Sequence, residues 1–108
     1  MNFADYQDDA MRTAKEGGLK FNLIHASMGI SGEAGEFADC IKKHIIYNQS
    51  LDIENACEEL GDLMWFIALA SETLGVSMVD IAAHNIDKLK KRYPEKYSDY
   101  HAEKRLDK

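Results

Sequence analysis

The chain has 108 residues, 45% of them apolar, a single proline and a net charge of −6. That length bounds it to one domain, residues 1–108, with a core small enough that self-association would help it. The acidic balance argues against nucleic-acid polymers and anionic membranes as partners, since both ask for a basic surface, while leaving room for a phosphate-bearing small molecule held through metal ions.

A first helix is predicted from about Phe3 to Lys15, with Asn2 as its N-cap and Gly17-Gly18 as its stop. Phe3, Tyr6, Ala10, Met11 and Ala14 recur at helical spacing and form its core stripe; Gln7, Arg12 and Thr13 fall off that stripe and read as solvated surface. A second helix is predicted from about Phe21 to Ile46. Its glycines Gly29, Gly32 and Gly35 would each cost about 1 kcal/mol on propensity alone, so they call for close helix packing, a ligand groove, or both. His25, Gly29, Glu33, Glu36, Cys40 and Lys43 fall in one stripe at 100° per residue, in which His25 reads as a hydrogen-bonded wall residue.

A third helix follows, capped by Asp52 at one end and Gly75 at the other, with Leu60, Leu63, Met64, Ile67, Ser71 and Leu74 as its core stripe. Trp65, Phe66 and Leu69 make the same segment apolar nearly all round. Four short helices cannot cover such a helix on every side, which points to a subunit interface near Trp65 or Phe66. A fourth helix opens at Ser77, with Asp80 three residues on, and closes before Pro94. Met78, Ala82, Asn85, Leu89 and Tyr93 form its expected buried stripe, and a buried Asn85 must find partners in the fold or in a ligand. Residues 95–108 read as a charged C-terminal tail, either mobile or laid over a neighbouring subunit.

Cys40 and Cys57 lack C-x-x-C spacing and read as free buried thiols in a reducing cytosol. The opening residues carry no basic n-region, and the apolar run Leu63 to Ala70 is far too short to span a bilayer, so a soluble, cytoplasmic protein is expected.

The chemistry concentrates in two acidic pairs, Glu33-Ala-Gly-Glu36 and Glu59-Leu-Gly-Asp62, with 22 residues between them. Each pair places two carboxylates at i and i+3 on one side of a helix. Carboxylates that close repel, so matched pairs on two packed helices suggest that something positive sits between them. Oxygen-only ligands favour a hard cation, Mg2+ or Mn2+. With Lys43, Lys88 and Arg92 nearby, the natural cargo is a polyphosphate. Glu58 is open to three readings: a ligand, a partner behind the ligands, or surface.

The run Gly32-Glu33-Ala34-Gly35-Glu36, then Glu58-Glu59-Leu60-Gly61-Asp62, then Asn85-Ile86-Asp87-Lys88-Leu89 with Arg92-Tyr93-Pro94, resembles the MazG-like nucleoside triphosphate pyrophosphohydrolases. Tyr6-Gln7 and Arg12-Thr13-Ala14 are similar to single-domain members. The resemblance implies an all-α four-helix bundle that assembles as a dimer or tetramer. It also implies Mg2+-dependent hydrolysis of a nucleoside triphosphate to the monophosphate and pyrophosphate. It makes Glu33, Glu36, Glu59 and Asp62 the metal ligands, and Asn85 and Lys88 phosphate contacts, with Arg92 as a further one. Outside the resemblance, the stripe on the second helix adds Lys43 and His25 to the expected substrate-binding set. Two other classes fit the residues less well. A di-metal carboxylate bundle wants Glu-x-x-His, and a non-catalytic helical partner protein explains neither the glycines beside the acids nor a polar Asn85 on a core stripe.

Overall fold

The computed structural model describes all 108 residues. It is all-helical: α1 (Phe3–Met11), α2 (Gly18–Ile45), α3 (Ile53–Leu74), α4 (Met78–Arg92) and α5 (Asp99–Lys104). Side-chain caps set the starts of four of these. Asn2, Asp52, Ser77 and Ser98 each accept a hydrogen bond from the backbone N–H three residues on, an arrangement worth about 1 kcal/mol per helix. Gly75 closes α3 with φ 74°, the left-handed conformation that glycine adopts without a Cβ penalty.

The centre of the molecule is an antiparallel hairpin of α2 and α3. Its register is read from three pairs: the Cys40 thiol meets the Asp52 carbonyl at 3.5 Å, Glu33 faces Glu59, and Gly29 faces Phe66. A Cβ at Gly29 would run into the Phe66 ring, so this glycine serves close helix packing. Nothing approaches within 4 Å of a Cβ built at Gly32, Gly35 or Gly61, so packing within the chain does not explain those three.

Helix α1 lies on α3 and on the start of α4. It ends earlier than its apolar spacing suggested, because the Trp65 indole N–H and the Thr13 hydroxyl both donate to the Ala10 carbonyl and take the place of the next helical turn. Gly17-Gly18 opens α2 instead of closing α1, with Gly17 at the N-cap and Gly18 at φ 83°. Gln7 is not surface: it is 8% exposed and pins the α3–α4 corner. Its amide nitrogen donates to Glu72 and to the Val76 carbonyl, and its oxygen accepts the Met78 N–H at 2.7 Å. Thr13 likewise is engaged, accepting the Trp65 indole N–H at 2.9 Å.

Helix α4 leaves α3 at a bend of 100°. The four expected helices are therefore present, but within one chain they form an open arrangement. The accessible surface is 7971 Å², where a folded monomer of 12.2 kDa exposes about 6,100 Å². The radius of gyration is 16.9 Å, against about 13 Å for a closed domain of this length. Most of the expected α3 stripe is on the outside: Leu60, Met64 and Ile67 are 45%, 39% and 37% exposed. Buried on α3 are Ala68, Leu69 and Ser71, with Ala68 meeting Ala10 and Met78 in the core. Trp65 and Phe66 pack within the chain, ring against ring at 5.1 Å between centroids.

The stretch expected to be a tail forms α5, which packs on α4. No single helix is long and apolar enough to cross a membrane.

Candidate active site

The α2–α3 register carries Glu33 of α2 against Glu59 and Asp62 of α3, and one carboxylate oxygen from each of the three lies within 4.8 Å of the others. Glu33 and Glu59 are half-buried and Asp62 is exposed. Hydrogen bonding to Glu33 raises the pKa of Glu59, with burial and the charges of Glu33 and Asp62 acting the same way. Carboxylates this close destabilise one another's charged forms, a cost that a cation among them would relieve. The donors are carboxylate oxygens alone, a set that suits a hard divalent ion, and their mutual spacing fits one ion shared among them.

Glu36 is exposed and stands one turn along α2, outside this trio. Glu58 is exposed and also outside it. The trio has a neighbour that periodicity alone did not single out as functional. Tyr6 of α1 feels the charge of Asp62, and its phenol is raised first by burial and then by that carboxylate. Its place on the α1 stripe marked it as core, and nothing local in the sequence says that α1 delivers it to the acids.

His25 stands further along the same face of α2 in an aromatic group, with ring centroids 5.3 Å from Phe66, 5.6 Å from Phe21 and 6.4 Å from Trp65. This agrees with a wall residue, but one held by ring contacts and not by the expected hydrogen bond, and it keeps the imidazole out of the carboxylate group.

The cations are elsewhere. Lys43 pairs with Asp39 on its own helix at 3.2 Å, an exposed pair worth little in stability but enough to hold Asp39 below the usual carboxylate range. Lys88 and Asn85 line a polar cleft of about 440 Å³ together with His84, Asp87, Lys91 and Asp107. Arg92 is bound to Asp107. No ion pair joins Lys43, Lys88 or Arg92 to the acidic trio. Asn85 is exposed, correcting the expectation of a buried amide: the open face between α3 and α4 leaves it uncovered. It borders both the polar cleft and an apolar groove of about 490 Å³ lined by Phe3, Leu60, Leu63, Met64, Ile67 and Ile81, among others.

Residues 24–97 match the MazG nucleotide pyrophosphohydrolase domain. The chain is also similar to the Gene 37 protein of Mycobacterium phage L5, 36% identical over 76 residues, which is 65% of each chain. The matched stretch thus spans somewhat less than two thirds of that relative's length. No solved structure matches the chain. The family match runs from α2 through the end of α4, taking in both acidic pairs and the Asn85–Arg92 segment, and on it the chain belongs to the family of MazG nucleotide pyrophosphohydrolase domains.

Proposed function

We propose that the chain hydrolyses a nucleoside triphosphate, a deoxynucleotide or a non-canonical one, to the monophosphate and pyrophosphate. The observation that carries this is the meeting of Glu33, Glu59 and Asp62 in a chain whose family acts on nucleotide anhydrides. These three, with Glu36 turning in from the adjacent turn, would hold Mg2+, or Mn2+ in its place. When bound, the ion supplies charge neutralisation at the phosphates and a more acidic water. The protein's part is to accept a proton and to hold the two ends of the nucleotide apart. Water oxygen adds to the α-phosphorus, the bond from that phosphorus to the α–β bridging oxygen breaks, and pyrophosphate leaves with the electron pair. The proton passes to a carboxylate of the group that is not fully engaged in holding the ion. Asn85, Lys88 and Arg92 would hold the departing phosphates, Lys43 would add positive charge once freed from Asp39, and the His25–Phe66 wall would border the nucleoside.

The working form is a homo-oligomer, a dimer or a tetramer, in the cytoplasm. In support, the single chain exposes roughly 1,900 Å² beyond a closed monomer, an amount that one obligate interface would cover. The groove along Leu60, Met64, Ile67 and Ile81 is the face on offer, and a second copy seated there would border Asn85.

A panel of canonical and damaged nucleoside triphosphates, assayed for pyrophosphate release with and without Mg2+, tests the activity. Metal-dependent pyrophosphate release that is lost in Glu33→Gln supports it. No release from any member of the panel removes it.

A further inference from the structure

Asp107 follows α5, and its side chain is fully covered. One carboxylate is gripped there by two guanidinium forks. Its Oδ1 accepts from Arg92 Nε at 3.3 Å and Arg105 Nε at 3.0 Å, and its Oδ2 accepts from Arg92 Nη2 at 3.2 Å and Arg105 Nη2 at 3.0 Å. Arg105 reaches this position through a left-handed turn, φ 52°, which a residue with a Cβ seldom adopts and which folds the chain back onto the end of α4. The cleft that Asp107 borders continues along α4 past Lys91 and Lys88 to Asn85.

The charges do not balance. Arg92 and Arg105 ion-pair with Asp107 alone, and the adjoining cleft adds Lys88 and Lys91 against Asp87, in a chain whose net charge is −6. A single carboxylate also uses few of the donors that two forks and two ammonium groups present. Guanidinium forks match phosphate oxygens as well as carboxylates, and a diphosphate brings more oxygens and more negative charge to the same donors.

We propose that Arg92 and Arg105 form an anion clamp for a diphosphate group, and that Asp107 occupies it in the free chain as an internal competitor. The clamp rests on the proposed pyrophosphohydrolase reading only for the source of its ligand, the diphosphate end of the substrate or the released product. Arg105 caps the end of α5, so the residues after it can carry Asp107 off the forks while Arg105 stays with the helix. Asp107 therefore sets how tightly pyrophosphate is held: the closed fraction reduces apparent affinity in proportion.

The test is calorimetric titration of inorganic pyrophosphate into the full chain, with chelator present and no nucleotide, so that it reads the clamp whether or not the chain hydrolyses anything. Asp107→Asn is expected to bind pyrophosphate more tightly than the parent, on the order of tenfold, the gain that a mostly closed clamp would release. Arg105→Gln, made in the Asp107→Asn background, is expected to lose that gain. Unchanged or weaker pyrophosphate affinity in Asp107→Asn overturns the proposal and leaves the clasp a fastening of α5 alone. Tighter binding that survives Arg105→Gln overturns it as well, because the site would then lie elsewhere.

Discussion

Gly29 of α2 takes the Phe66 ring of α3 directly against its backbone, in the space a Cβ would fill. Phe66 in turn holds His25 and Trp65 edge to face, and Trp65 fastens α1 through the Ala10 carbonyl. A methyl at this one position thus pushes on a chain of contacts reaching three helices. Gly29→Ala would gain about 1 kcal/mol in helix propensity and lose about 1–3 kcal/mol to overpacking. The expected outcome is a net loss of stability with a changed Trp65 fluorescence, read by denaturant unfolding. Gly32→Ala, in open space, should leave the isolated fold as stable or more so.

Gln7 is expected to matter as much as any apolar core residue. Gln7→Leu leaves the Met78 N–H at the start of α4 without its partner and removes both bonds to the α3–α4 corner. A loss of about 1–3 kcal/mol should follow from the unpaired buried N–H, measured by urea unfolding.

The acids should make the metal-free protein weaker as pH rises. Glu59 has a folded pKa above its unfolded one, through its hydrogen bond to Glu33. Its contribution is therefore fully present below the unfolded glutamate pKa and lost as pH climbs through the raised folded value. Asp39 and Asp107 act in the opposite sense at lower pH, since their folded values are depressed. The difference between the parent and Glu59→Gln isolates the first effect. Without divalent ions, Glu59→Gln should melt higher than the parent near neutral pH and lose that advantage in acid. Excess Mg2+ should stabilise the parent and not the variant. A parent and variant that melt alike at every pH would mean the carboxylates do not interact.

The open α3–α4 face predicts association. Ile67→Asp places a charge in the groove, at a residue 37% exposed and outside the buried core cluster. Sedimentation should show the parent as a dimer or tetramer and Ile67→Asp as a smaller species at micromolar concentration. A parent that is monomeric there refutes the assembly.

What the sequence made legible was what local rules govern. Asp52, Ser77 and Gly75 are capping residues by their own chemistry, and α3 begins and ends, and α4 begins, where those residues put them. The two acidic pairs were legible because i, i+3 spacing survives any tertiary arrangement, and Glu33 and Asp62 do meet. The α3 stripe misled because Leu60, Met64 and Ile67 are apolar at core spacing while their cover is not in the same chain. Gln7 was invisible for the converse reason: its three partners lie 65 to 71 residues away, at a corner no helical period describes. Nor could charge alone show that Arg92 is spent on Asp107, because that pair depends on the left-handed turn at Arg105.

The most direct measurement of the central claim is hydrolysis in 18O-labelled water with Mg2+, followed by mass analysis of both products. Attack at the α-phosphorus puts the label in the nucleoside monophosphate and leaves pyrophosphate unlabelled, and Glu33→Gln and Asp62→Asn should abolish both products while the helices stay folded. Label in the pyrophosphate, release of inorganic phosphate, or full activity in both variants would contradict the account.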